Sequence, residues 1–195
     1  MPDTKPSKAE LRATLRQRRQ ALGPQRQRTA AQSLITSVTK LPAWDKAERV
    51  ALYMAADGEI STGPLQQLAT RQGKQLFLPV IADDNSLSFH AWQTDEPLRD
   101  NRYNIPEPPA QSLRCPTEDL DIIFMPLVAW DQCGGRLGMG GGFYDRTLAG
   151  ADGPVLVGLA HACQQVGQVP RDSWDICLAF IATDTALHPC PGARS

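Results

Sequence analysis

The sequence predicts an α/β fold: a single domain over residues 1–195, with an open, mainly parallel sheet, helices on both faces and a basic helix at the N-terminus. Three observations carry this. Short apolar runs such as Ile122-Ile123-Phe124-Met125 and Val155-Leu156-Val157 lack the polar alternation of a strand with one wet face. They therefore suit a sheet covered on both sides. Segments with apolar residues at helical spacing lie between the runs. The chain has 195 residues and is 42% hydrophobic, enough for one well-filled core.

Residues 7–22 read as the first helix. Ser7 and Glu10 make a capping box, with Pro6 just outside it. Leu11, Leu15 and Leu22 form an apolar stripe; Lys8, Arg12, Arg16 and Arg19 form a second, basic one. Gly23-Pro24 ends this helix and opens another over 24–40. A strand at 49–54 follows, then a helix over 62–72 with Leu65, Leu68 and Ala69 on its apolar side. Strands are expected at 75–80 and 86–92. Residues 94–118, rich in proline and polar side chains, read as a long surface loop. A strand at 121–125, a helix beginning at 143–149, and strands at 155–159 and 176–182 complete the order. The tail from Pro189 reads as loose.

Composition excludes several classes. The net charge of −1 gives no general attraction to nucleic acid or anionic lipid. Residues 1–28 do concentrate positive charge, but no aromatic residues interleave with it, so nucleic-acid binding is the weaker reading of that segment. No apolar run approaches the ~20 residues of a membrane helix. Met1-Pro2-Asp3-Thr4-Lys5 lacks the hydrophobic segment of a signal peptide. The five cysteines form no C-x-x-C pair, which favours reduced thiols and a cytoplasmic location. Cys133 reads as a small buried thiol rather than a nucleophile, since no histidine lies near it in sequence.

The densest signal is Gly134-Gly135-Arg136-Leu137-Gly138-Met139-Gly140-Gly141-Gly142-Phe143-Tyr144-Asp145. Glycine permits sharp turns and a close approach of backbone N–H groups to a ligand. A strand before these glycines and a helix start after them make an anion site, most simply for a nucleotide phosphate. Two better-known loops do not match. The P-loop pattern fails because Gly141-Gly142 follow Gly140 where Lys and Ser/Thr belong. The dinucleotide fingerprint fails because Phe143 stands at its third glycine. A merely flexible turn would gain nothing from the flanking arginine and Tyr-Asp pair.

Arg136-Leu137-Gly138-x-Gly140-x-Gly142-x-Tyr144-Asp145 resembles the signature of the 5-formyltetrahydrofolate cyclo-ligase family. Lys8-x-x-x-Arg12, Gly58-Glu59-Ile60, Asn104-Ile105-Pro106-Glu107-Pro108 and Trp174-Asp175 fall in the family's order. The resemblance runs from about Ser7 to Ala182. It implies an ATP-dependent enzyme that phosphorylates the formyl oxygen of 5-formyltetrahydrofolate, after which N10 closes the ring and phosphate leaves. It also implies the family's open sheet with the basic helix packed at its edge, and magnesium beside the ATP. Phosphoryl transfer is mainly positioning and charge neutralisation, which suits a chain without a triad or Cys/His pair.

The resemblance also assigns residues. Lys8 and Arg12, four apart on one helical face, would reach ATP phosphates, with Arg12 also near the folate; from the helix alone, a solvated basic face is the stronger reading. Arg136 and Tyr144 would be catalytic. Arg136, Leu137, Gly138, Met139, Gly140, Gly141, Gly142, Phe143 and Tyr144 would line the ATP site. Met54, Glu59, Arg12 and the segment Met139–Phe143 would contact folate, although plain core packing explains Met54 equally well. Asp145 and Asp175 would hold magnesium. Many family members carry a basic side chain inside the loop, where this chain has Met139 and Gly141, and often tyrosine at Phe143. Trp92, Trp130 and Trp174 fit a pterin stack or the core, and His161 has no assigned role. A monomer is expected. Rival readings are a sugar-phosphate isomerase or CoA transferase on a similar sheet, which would need no ATP, and a folate-binding module that turns nothing over.

Overall fold

A computed structural model describes residues 6–191. Helix α1 (Lys8–Gln20) starts at the expected capping box: the Glu10 N–H donates to Ser7 Oγ, and Glu10 Oε2 accepts from the Ser7 N–H at 2.8 Å. Helix α2 (Pro24–Val38) follows Gly23. Strand β1 (Arg49–Ala51) leads through a loop to α3 (Gly63–Arg71), then β2 (Gln75–Ile81) and β3 (Leu87–Ala91). The proline-rich stretch contains three two-residue strands, β4 (Arg99–Asp100), β5 (Pro106–Glu107) and β6 (Arg114–Cys115). It is therefore a hairpin and an edge strand rather than a plain loop. Next come β7 (Ile122–Pro126), β8 (Ala129–Trp130), β9 (Arg136–Leu137), α4 (Phe143–Leu148), β10 (Val155–Ala160), β11 (Phe180–Thr183) and β12 (Leu187–Pro189).

Eight strands form one sheet in the order β12-β11-β10-β7-β1-β2-β3-β6. The central run β11-β10-β7-β1-β2 is parallel, and β12, β3 and β6 add antiparallel pairs at the edges. Burial alternates as a two-faced sheet requires. Val50, Leu52, Leu76, Ile122, Phe124 and Val157 join α2 and α3 residues in one core, while Ala51, Phe77, Ile123 and Met125 join Leu148 of α4 in the other. Helices thus cover both faces.

Three further expectations shift. Helix α1 does not sit at a sheet edge. Leu11 and Leu15 pack on Val128, Ala129, Leu137 and Val169, so the helix lies over the hairpin that follows the C-terminal end of β7. The apolar run 176–182 becomes strand only from Phe180, because the Ile176 N–H is taken by Asp145 (3.1 Å) and Leu178 fills the second core. The tail is fixed as far as Cys190: Leu187–Pro189 pairs with β11, and the Cys190 N–H donates to the Ala179 carbonyl (2.9 Å); its residues 192–195 lie outside the described residues. Among the described residues no helix is long and apolar enough to cross a membrane.

Candidate active site

In parallel sheets, ligands collect beyond the strand C-termini, where the strand order reverses. Here that point lies between β1 and β7, since the chain proceeds from β1 to β2 on one side and resumes at β7 on the other. A cleft of about 740 Å³ opens there. Its walls come from the loop after β1, the end of β7, the glycine segment, α1, and the tip of the β4–β5 hairpin. Every site residue expected from the sequence lines it: Lys8, Arg12, Met54, Glu59, Arg136, Leu137, Gly138, Met139, Gly140, Gly141, Gly142, Phe143, Tyr144, Asp145 and Asp175. Met54 is half-buried and packed against the first core while it lines the cleft, so its two readings coexist.

The glycine run proves to be two devices. Gly134 and Gly135 belong to the β8–β9 turn, where buried Asp131 accepts N–H bonds from Cys133 (2.9 Å), Gly135 (2.8 Å) and Val169 (2.8 Å). A Cβ on Gly134 would stand 2.7 Å from that of Cys190, so only glycine fits. Cys133 is exposed on this turn, outside the cleft, and is not the buried thiol expected. Gly138–Gly142 form the loop that faces the cleft. Gly140 (φ 103°) and Gly142 (φ 67°) adopt left-handed backbone. Arg12 grips this loop, with Nε donating to the Gly138 carbonyl at 2.9 Å. Helix α4 has only six residues, and Gly142 caps it without a side chain. The expected helix dipole is therefore weak, and positive charge must come from side chains and loop N–H groups.

Those side chains are held by carboxylates. Arg136 is buried and ion-paired with Asp145 through a short contact. Its Nε has no hydrogen-bond partner among the described residues. Burial works against its charge, while Asp145 and Asp175 support it. Lys8 Nζ bonds Asp172 (2.7 Å) and Asp175 (3.0 Å). Burial opposes the lysine charge, but these two partners outweigh it and hold its pKa above the ordinary value. Asp175 also loses solvent, yet the Asp172 N–H and Lys8 keep its carboxyl below the usual range.

Among the described residues no cluster of three or more His, Cys, Asp or Glu makes a self-contained metal site. Asp145 and Asp175 nonetheless fit magnesium, which takes one or two carboxylates and fills its other positions with phosphate and water. The protein hydrogen bonds to them use Oδ1 of Asp145 and Oδ2 of Asp175, which leaves a second oxygen on each.

On the other side of the cleft, Glu59 is largely desolvated. Burial lifts its pKa, against the pull of the Ala56 N–H (3.0 Å) and of Arg19. The Tyr144 hydroxyl lies near it. Burial, then the Glu59 charge, pushes that pKa up, so Tyr144 can donate a hydrogen bond at neutral pH but cannot act as a base. Trp174, 69% exposed, stands at the cleft, whereas Trp92 and Trp130 are core residues. The Tyr103 and Phe143 rings meet edge to face at 5.9 Å, which brings the β4–β5 hairpin against the glycine loop.

Sequence reasoning missed Arg19 and Asp57. The sequence places Arg19 on the basic stripe of α1, yet it is 0% exposed and bonds Asp57, the Leu127 carbonyl and the Met139 sulfur. The signal was present: Leu11, Leu15 and Arg19 recur every four residues, so Arg19 continues the buried stripe.

The sequence model of the 5-formyltetrahydrofolate cyclo-ligase family matches residues 4–184. The 5-formyltetrahydrofolate cyclo-ligase of Haemophilus influenzae is 40% identical over 174 residues, covering 87% of this chain and 93% of that protein. The Escherichia coli protein of the same name is 40% identical over 178 residues, covering 89% and 98%. The solved structure of Aquifex aeolicus 5,10-methenyltetrahydrofolate synthetase superposes with a TM-score of 0.83 at 33% identity, over 96% of this chain and 95% of that one.

Proposed function

The chain belongs to the 5-formyltetrahydrofolate cyclo-ligase family, and from that premise we propose how its cleft divides the reaction. The enzyme converts 5-formyltetrahydrofolate to 5,10-methenyltetrahydrofolate at the expense of ATP. The γ-phosphoryl group passes to the formyl oxygen, N10 attacks the activated carbon, and phosphate departs. The single observation that supports the assignment of parts is the convergence of all the family-motif residues on one cleft at the switch point of the sheet.

Lys8, Arg12 and Arg136 take the triphosphate, with the N–H groups of Gly138–Gly142 around it. Asp145 and Asp175 hold Arg136 and Lys8 in place and offer their free oxygens to magnesium, which would neutralise phosphate charge. The arginine stays charged at any working pH, so its role is to stabilise the negative charge that builds on the transferring phosphoryl group. Tyr144 donates its hydroxyl proton as a hydrogen bond near the reacting formyl group. Glu59 and the apolar wall around Met54 take the folate, and Phe143 offers a stacking face. The protein works as a cytoplasmic monomer, one domain over residues 1–195, with neither nucleic acid nor membrane as partner.

The test is near-ultraviolet absorbance of the purified protein with 5-formyltetrahydrofolate and magnesium, with and without ATP. The expected result is a methenyl-folate band that grows only when ATP is present. Folate binding without that band would leave a binding module instead, and a reaction that ignores ATP would point to the isomerase or transferase reading.

A further inference from the structure

The charges around Arg19 remain unused by the roles above. Its guanidinium is fully buried where α1 crosses the loop after β1. Nε donates to the Asp57 carbonyl (2.9 Å), Nη1 to the Leu127 carbonyl (3.1 Å) and Nη2 to Asp57 Oδ2 (2.9 Å). Nη2 also lies 3.9 Å from Glu59 Oε1. One planar group therefore ties together the end of β7, the turn at Asp57 and the carboxylate two residues further on. Lysine, a point charge with no fork, cannot reproduce this set of bonds.

The Asp57-Gly58 turn is built to receive it. Both residues have left-handed backbone, φ 52° and 76°, which an Asp-Gly pair tolerates better than most. Arg16 Nε holds the same Asp57 oxygen at 2.7 Å. The Arg16 bond, assisted by Arg19, lowers the Asp57 carboxyl to about 2. Gln27 Nε2 donates to the Gly58 carbonyl (3.3 Å), and His161 Nε2 lies 3.3 Å from the same oxygen. The turn is braced from α1, from α2 and from the segment after β10. Glu59 emerges from it into the cleft.

We propose that Arg19 is the positioning residue for folate recognition: with Asp57 as its counter-ion, it fixes the place and the ionised state of the Glu59 carboxylate. This rests on Glu59 being the folate contact. A buried carboxylate discriminates well, because a ligand edge with two N–H donors satisfies it and a ligand without them leaves it unpaired. It can do so only while ionised, and burial alone pushes Glu59 the other way. The groups facing Glu59 are Arg19 from α1, Asp57 from its own loop, Tyr53 after β1 and Tyr144 from α4. Arg19 is the cation in that set, and Asp57 is the other anion.

The two members of the pair must therefore act on Glu59 with opposite sign. In Arg19→Gln the supporting charge is gone, so Glu59 protonates more easily. The acid limb of kcat/KM for 5-formyltetrahydrofolate should move up by about one pH unit. In Asp57→Asn a repelling charge is gone while asparagine still accepts left-handed φ, so the limb should move down. The folate KM should rise about tenfold or more in Arg19→Gln, with apparent ATP affinity changing less than about twofold.

The experiment measures folate and ATP kinetics of wild type and both variants across pH, with folding checked by circular dichroism. Limbs displaced in opposite directions establish the role. Limbs that stay put, or that both move the same way with equal losses toward ATP and folate, overturn it and leave Arg19 as a structural brace. If Arg19→Gln does not fold, Asp57→Asn decides alone: a limb moving down supports the proposal, and a stationary or rising one refutes it. A wild-type enzyme that leaves 5-formyltetrahydrofolate unchanged would sink the underlying functional reading instead, and this proposal with it.

Discussion

Lys8 and Arg19 stand at opposite ends of the same helix and carry the same charge, but they are held under different constraints. The Lys8 side chain keeps 26% of its surface in solvent, and its nearer partner, Asp172, keeps 43%. A pair this wet is worth about 0–1 kcal/mol, so Lys8 can release Asp172 at little cost, while Asp175, at 17%, is its drier partner. Arg19 is fully buried, and two of its bonds go to backbone carbonyls that cannot move away. Its charge has no competing solvent and no room to exchange. On the proposed assignment, helix α1 is a ligand arm at its N-terminal end and a rivet at its C-terminal end.

Arg136 combines both conditions: it is buried like Arg19 yet faces the cleft like Lys8. Arg136→Ala should lower kcat/KM for ATP about 10²–10³-fold, the scale seen when one fixed donor to a developing oxyanion is lost. Steady-state rates at the methenyl-folate band would read it. An unchanged apparent ATP affinity would move Arg136 into the class of rivets.

Stability separates the two ends next. Arg19→Ala should cost about 3 kcal/mol, the lower end for a broken buried pair, because Asp57 retains Arg16 and a side chain that is 25% exposed. The readout is the urea midpoint. Lys8→Met should change the unfolding free energy by less than about 1 kcal/mol while weakening ATP about tenfold. Equal midpoint losses in the two variants would mean that both ends of the helix are structural.

What the sequence disclosed follows the range of each interaction. The α1 start was legible because Ser7 and Glu10 act three residues apart. The cleft residues were legible because the family motif places them, and the β7 run gave away the strand beneath. Asp57 was not, since its bond to Arg19 spans 38 positions; Arg19 itself was legible only as the continuation of the Leu11–Leu15 stripe, a signal that its charge and its place among the basic residues of α1 obscure. The β8–β9 hairpin was hidden inside the glycine run. Two-residue strands have no periodicity to read, and the feature that defines this one, Asp131 closing on Gly135 and Val169, is again partly long-range. The apolar residues 176–179 resembled strand because hydrophobicity alone does not reveal that Asp145 captures the Ile176 N–H.

The smallest effect is expected at Met139, and it tests whether the cleft's positive charge is in surplus or only sufficient. Met139 is 50% exposed in a loop that faces the cleft and contains no basic side chain between Arg136 and Arg146. With α4 too short for a strong dipole, the proposed assignment leaves phosphate charge to Lys8, Arg12 and Arg136, and two of those three already face carboxylates. Met139→Lys adds a mobile cation at a solvent-exposed position, where a charge pair yields a fraction of a kcal/mol to about 1 kcal/mol. Apparent ATP affinity should therefore tighten about three- to fivefold at low ionic strength. That gain should vanish near 1 M salt, where the screening length is about 3 Å. Folate KM should change less than ATP affinity: Glu59 and Arg19 are untouched apart from the weak sulfur contact at 3.9 Å, and Met139 is only one residue of the loop segment expected beside the folate. A gain that survives high salt would mean that the lysine makes a direct, desolvated phosphate bond. No gain at any salt would mean that the three existing cations already saturate the phosphates, and that Lys8 gives up its aspartates completely when ATP binds.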